Sequence, residues 1–172
     1  SQQHSFVLPS DGLQIKVVTV KAIEEGPYQE AALQDKRKQK NAVIYFGGNA
    51  ESVWWSPSMM EDAFADHAAY YLNYPGYGGS EGLPKEENIL RAAKDLFDYV
   101  QQRHESVSLV GRSLGSGVAV ALANSASENG HQVSSLVLIT PYDSIANVAA
   151  SHYPIFPVKW LIKDKFDSLS RL

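Results

Sequence analysis

Residues 106–124 read SVSLVGRSLGSGVAVALAN, and few backbones can carry that order of residues. Val107, Leu109 and Val110 make an apolar, β-branched run that predicts a strand, and the small apolar residues beyond Gly115 predict a helix. The five residues between, Gly111-Arg112-Ser113-Leu114-Gly115, must turn the chain sharply from one to the other. A serine at the apex of such a turn sits on strained backbone. The crowding excludes side chains two residues to either side, where the two glycines stand. The hydroxyl is lifted clear of the sheet, and the helix that follows aims its first N–H groups at the same place. Ser113 is the candidate nucleophile.

The remaining apolar runs predict what this turn is built into. Residues 6–9 and 13–20 predict two strands about the turn Ser10-Asp11-Gly12. Leu13, Ile15 and Val17 alternate with Gln14 and Lys16, which suggests a half-exposed edge hairpin. A polar stretch follows and closes on the basic run Lys36-Arg37-Lys38-Gln39-Lys40, read as a solvated loop. Residues 42–46, AVIYF, are a continuous apolar run, as in a strand buried on both faces. They lead into Gly47-Gly48-Asn49-Ala50-Glu51, a loop whose backbone can approach a ligand and which is read as an oxyanion loop beside the Ser113 turn. Ser56-Pro57 suits a helix start, with Met59, Met60, Phe64 and Ala68 near helical spacing; Trp54 and Trp55 are read as packing residues.

A strand over 68–72 runs into residues 73–82, NYPGYGGSEG, whose four glycines and one proline predict special backbone angles rather than a linker. Pro84, Glu86 and Glu87 open a helix with Ile89, Ala93, Leu96, Phe97 and Val100 on one apolar face. After the Ser113 turn, residues 133–139 predict another buried strand that ends in Thr140-Pro141-Tyr142-Asp143-Ser144. Strands alternating with helices predict an α/β domain: a mainly parallel sheet with helices on both faces and an N-terminal antiparallel hairpin. Ligands of such sheets bind at the carboxyl ends of the strands, where four unusual loops are expected to converge. Beyond Asp143 comes a stretch with Pro154, Pro157, Trp160 and a helix expected near 158–165, with no strand after it. The expected fold therefore looks C-terminally incomplete.

Composition narrows the function. A chain of 172 residues predicts one domain, 1–172, and its apolar and charged fractions are those of an ordinary globular protein. A net charge of −4 gives no electrostatic case for nucleic acid or an anionic membrane surface. The absence of cysteine removes disulfides, thiolate catalysis and cysteine metal sites. No apolar run approaches the roughly 18 residues of a membrane helix. No cofactor or metal is called for, and the expected partner is a small-molecule or acyl substrate. The expected location is the cytoplasm; the chain starts at Ser1, which leaves room for a removed upstream signal or anchor.

The loops also spell a family. The chain resembles the α/β-hydrolase superfamily, in particular its small α/β-hydrolase domain-containing serine hydrolases. There the strand-end loop reads H-G-N-A, the next D-Y-R-G-Y-G-x-S-x-G, the turn G-x-S-x-G, and a P-[FY]-D-S segment follows. Here they stand at residues 47–50, 73–82, 111–115 and 141–144, in order and near the usual spacing. The resemblance implies Ser113 as nucleophile of an ester, thioester or amide hydrolase, with the backbone N–H groups of Leu114 and Asn49 as the oxyanion hole. Gly48, Tyr77, Arg112 and Tyr142 are expected to line the substrate, with Tyr74 and Trp160 adding to an aromatic mouth. Gly47 stands for the family's histidine, Asn73 for its aspartate and Pro75 for its arginine, so loop packing is expected to differ.

In this family the triad's acid and histidine follow later strands, beyond Leu172, so the 172 residues alone are expected not to turn over esters at an enzyme's rate. Asp143 and His152 are the fallback acid and base, each set against a plainer role: helix capping for Asp143, structure for His152. A His152 imidazole about 3 Å from the Ser113 hydroxyl with Asp143 behind it would make the chain a complete hydrolase. Two other classes compete. One is a non-catalytic α/β-hydrolase-like binding or scaffold protein. The other is nucleotide binding through Gly115-Ser116-Gly117, which Val120 at a required small position and the lack of a P-loop lysine argue against.

Overall fold

The computed structural model describes residues 3–20, 40–48, 51, 60 and 62–139. Among these, six strands form one sheet: β1 (Gln3–Ser10), β2 (Leu13–Val20), β3 (Asn41–Phe46), β4 (His67–Leu72), β5 (Ser106–Arg112) and β6 (Ser135–Ile139). Their order is β1-β2-β4-β3-β5-β6. β1 and β2 form the antiparallel hairpin and β2 runs antiparallel to β4, whereas β4, β3, β5 and β6 are mutually parallel. Two helices are described, α1 (Glu86–Gln101) and α2 (Leu114–Glu128).

The side-chain period of two sorts each strand onto two cores. Ile15, Val17, Ala42, Ile44, Phe46, Tyr70, Leu72 and Leu109 face one side, where α1 and α2 lie over them with Leu96, Phe97, Val100, Ala119 and Leu122. Val18, Val20, Val43, Tyr45, Tyr71, Val110 and Val137 face the other, with Met60 and Phe64 against them. Five apolar positions expected on one face of α1 are all buried. Among the described residues no helix is long and apolar enough to cross a membrane.

The hairpin differs from expectation in one respect. β1 is the edge strand, while β2 is interior and pairs with β4 from Val17↔Leu72 to Val20↔Ala69. Val18 and Val20 are therefore buried on the face opposite Ile15 and Val17, so only the first half of β2 shows the alternation of a half-exposed strand. In that first half the backbone groups facing β4 have outrun their partner strand. The glycine-rich loop after β4 supplies them instead. The Asn73 N–H and Nδ2 both donate to the Lys16 carbonyl, at 3.2 and 3.1 Å. The Lys16 N–H donates to Ser80 Oγ at 2.9 Å, Ser80 Oγ donates to the Asn73 carbonyl at 2.9 Å, and the Glu81 N–H donates to the Gln14 carbonyl at 3.0 Å. A strand's unpaired amides need such partners wherever water is kept away.

Ser80 thus serves as a substitute rung of the ladder. Ser80→Ala is expected to lower the free energy of unfolding by about 1–3 kcal/mol, the cost of stranding a part-buried donor and acceptor. Chemical denaturation with an unchanged slope is the measurement, and a loss near zero would show that water replaces the hydroxyl freely.

Candidate active site

The turn from β5 to α2 has the backbone that its sequence demands. Ser113 stands at φ 50°, ψ −115°, one of two described non-glycine residues at positive φ. Such a conformation costs about 1–3 kcal/mol and persists only where its surroundings over-determine it. Here they do. The Ser113 N–H donates to the Ile139 carbonyl of β6 at 3.0 Å, and its own carbonyl accepts from the Ser116 N–H at 2.9 Å. Ser116 Oγ, fully buried, donates to the Gly111 carbonyl at 3.0 Å.

Both flanking glycines are required by backbone rather than by side chains. A Cβ on Gly111 would land on the Gly115 carbonyl, and one on Gly115 would land on the carbonyl of Phe46, the last residue of β3. The start of α2 is therefore pressed against the end of β3 and the Gly47–Gly48 loop that leaves it. A Cβ on Gly48 would stand 3.7 Å from that of Ser113. Leu114 is the first residue of α2, so its N–H lies in the first turn, where helix amides have no partner within the helix.

The Gly47–Gly48 loop is held from two sides. The Tyr74 hydroxyl donates to the Gly47 carbonyl at 2.7 Å. On the other side Glu51, the loop's last residue, accepts from the Gly48 N–H on Oε2 at 2.7 Å and from the Tyr45 hydroxyl on Oε1 at 2.8 Å. The Arg112 guanidinium approaches the same Oε1 at 3.6 Å. Burial pushes the Tyr45 hydroxyl's pKa well up; the Glu51 hydrogen bond and charge add to this and Arg112 opposes it. Burial likewise raises that of Tyr74, with Tyr45 and Glu51 adding. Both phenols remain donors across the physiological range.

Of the expected site residues, the structure gathers Gly48, Arg112, Ser113 and Leu114 at the carboxyl ends of β3 and β5. Tyr77 is more than a third exposed, on the loop that braces β2. Tyr74 is not at an aromatic mouth. It is buried and spends its hydroxyl on the Gly47 carbonyl of the loop backbone. Of the four loops expected to converge, the one after β4 also bonds β2 through Asn73, Ser80 and Glu81, and residues 141–144 lie outside the described residues. Asn49, Tyr142, Asp143 and His152 lie outside the described residues, as do Ala50, Trp54, Trp55, Ser56, Pro57, Met59, the basic run before Lys40, and Trp160 with the expected last helix. Of the other histidines, His67 opens β4 and His104 and His131 precede β5 and β6, all toward the amino ends, while His4 is on β1. His104 meets the Tyr70 hydroxyl at 2.8 Å, and burial holds the His67 imidazole below its usual range despite Asp66. Glu51 is the functional candidate that pattern reading missed. Its signal was its position as the acid that closes a glycine loop.

The profile of the family described as alpha/beta hydrolase fold matches residues 41–171. The chain belongs to that family. A protein of Mycobacterium tuberculosis named only as uncharacterized is 33% identical over 139 residues, covering 76% of this chain and 47% of the relative. The lysophosphatidylserine lipase ABHD12 of Danio rerio is 27% identical over 162 residues, covering 87% of this chain and 42% of the relative. The chain thus spans under half the length of these curated relatives. Among solved structures, an alpha-beta hydrolase from Vibrio vulnificus superposes with a TM-score of 0.65 at 21% identity, over 88% of this chain and 50% of that one.

Two substitutions separate strain from chemistry in this turn. Ser113→Gly removes the positive-φ penalty and is expected to raise the unfolding free energy by about 1 kcal/mol, after glycine's greater chain entropy is set against it. Gly115→Val forces a branched side chain into the Phe46 carbonyl and is expected to leave no soluble, active protein. A well-folded Gly115→Val variant of normal stability would show that helix and strand are not in contact there.

Proposed function

We propose that the protein is a serine hydrolase that cleaves an ester, thioester or amide through an acyl-enzyme on Ser113. The observation that carries this reading is the left-handed backbone of Ser113, held at the carboxyl end of β5 by hydrogen bonds through its N–H to Ile139 and through its carbonyl from Ser116. A fold gains nothing from a strained serine there, and strain of this kind gathers where a side chain must be presented.

In this reading Ser113 Oγ attacks the acyl carbon as an imidazole takes its proton, and the C–O, C–S or C–N bond to the leaving group breaks as that proton is handed on. Water then repeats the sequence and releases the acid. The oxyanion rests on the Leu114 and Asn49 N–H groups at the positive end of α2. His4, His67, His104 and His131 are placed away from Ser113 and take no part. Asp143 and His152 are the candidates for acid and base within this chain. The name of the zebrafish relative supports an acyl ester of a lipid as the first substrate class to try.

The test is a fluorophosphonate probe on the natural full-length gene product, read by mass spectrometry. Labelling is expected at Ser113 alone. Ser113→Ala should abolish it and lower ester hydrolysis by at least about 10³-fold while the protein stays folded. A folded protein that does not label is a binding or scaffold member of the family, and activity that survives Ser113→Ala places the chemistry elsewhere.

A further inference from the structure

Glu51 belongs to no expected set of catalytic groups, yet its carboxylate meets side chains or backbone of β3, the glycine loop and β5 at once. We propose that Glu51 is a positioning residue for acyl transfer, one that fixes the Gly47–Gly48 loop against the Ser113 turn and withdraws the Gly48 N–H from the oxyanion donors. The inference rests on the reading of Ser113 as nucleophile.

The contacts are short and directed. Oε2 accepts from the Gly48 N–H at 2.7 Å, and the Glu51 N–H returns a bond to the Gly48 carbonyl at 3.3 Å, so residues 48 and 51 close a turn reciprocally. Oε1 accepts from the Tyr45 hydroxyl at 2.8 Å. Tyr45 is itself fully buried within β3, so the carboxylate is pinned to the sheet and not merely to its own loop. The Arg112 guanidinium, on the residue just before the nucleophile, closes the third side at 3.6 Å. The Glu51 side chain is only 18% exposed, which strengthens each of these contacts relative to a surface ion pair.

The consequence for chemistry follows from where the loop lies. The Gly47 carbonyl is held by Tyr74 and the Gly48 N–H by Glu51, so peeling the start of the loop from the turn or rotating its peptide would break one of these bonds. An oxyanion donor acts only if it is in place before charge develops. Loss of one donor costs about 10²–10³-fold in kcat, and a misplacement of about 1 Å can cost 10²-fold. Because the Gly48 N–H is already committed, the loop's contribution to an oxyanion must come from a neighbouring amide, and Glu51 decides which one.

The experiment compares wild type, Glu51→Ala, Glu51→Gln and Tyr45→Phe in the full-length protein. Working sites are counted by fluorophosphonate titration, and p-nitrophenyl esters serve as substrate well below each melting temperature. Glu51→Ala is expected to lower kcat per titrated site about 10- to 100-fold with KM changed less than about twofold. Glu51→Gln keeps an oxygen for the Gly48 N–H and should recover most of that loss. A purely structural glutamate would lower the melting temperature and the number of titratable sites but leave kcat per site unchanged, and that result overturns the inference. If Glu51→Ala does not fold, Tyr45→Phe decides: a several-fold drop in kcat per site sustains the inference, and an unchanged value overturns it. Failure of the underlying reading looks different, because wild type would then not label at Ser113, and both ideas fall together.

Discussion

The contact on which the rest of this structure depends is backbone against backbone: the first turn of α2 at Gly115 meets the carbonyl of Phe46 at the end of β3. No side chain fits between them. Because β5 is parallel to β3 and in register from Asn41↔Ser106 to Phe46↔Gly111, the chain leaving β5 reaches that contact only by turning at once. Ser113 takes up the strain of the turn, and β6 receives its N–H. The geometry of the serine is thus imposed by two strands and a helix, not by the loop that carries it.

Once helix and strand touch, the loop leaving β3 has little room. It is gripped through its carbonyl by Tyr74 from the β4 loop and through its N–H by Glu51, with Tyr45 behind. Burial keeps both the Tyr74 hydroxyl and the Tyr45 hydroxyl behind Glu51 protonated. The family's histidine in this loop is Gly47 here, and a side chain there would meet Glu51 at 3.3 Å. The pairing of a glycine at position 47 with a glutamate at 51 is therefore coherent: the loop carries its own brace.

The loop after β4 shows how one motif can serve the fold instead of the site. Its glycines at 76, 78, 79 and 82 all have positive φ. A Cβ on Gly78 would land on the Asn73 amide, and one on Gly82 would press into Leu13 at 2.7 Å. These are the demands of a chain wrapping back over β2 to complete a ladder that β4 leaves short.

Order and type of the described elements were legible in the sequence, except that Phe64 and Ala68, expected at helical spacing, stand in a turn and in β4. Continuous apolar runs marked β3, β4, β5 and β6, the spacing of Ile89, Ala93, Leu96, Phe97 and Val100 marked α1, and the glycines about Ser113 marked the turn. All of these are local signals, since period and chirality act over neighbouring residues. The acid closing the glycine loop marked Glu51, though not its bond to Tyr45 or its approach to Arg112. The strand order, the interior place of β2 and the burial of Tyr74 were not legible. Each depends on which distant backbone groups are left without partners once the sheet is assembled, and 57 residues of sequence separate Asn73 from Lys16. Sequence by itself determined that a strained serine would stand at a strand end. Only the tertiary structure decided what surrounds it, because hydrogen-bond satisfaction is settled across the sheet and not along the chain.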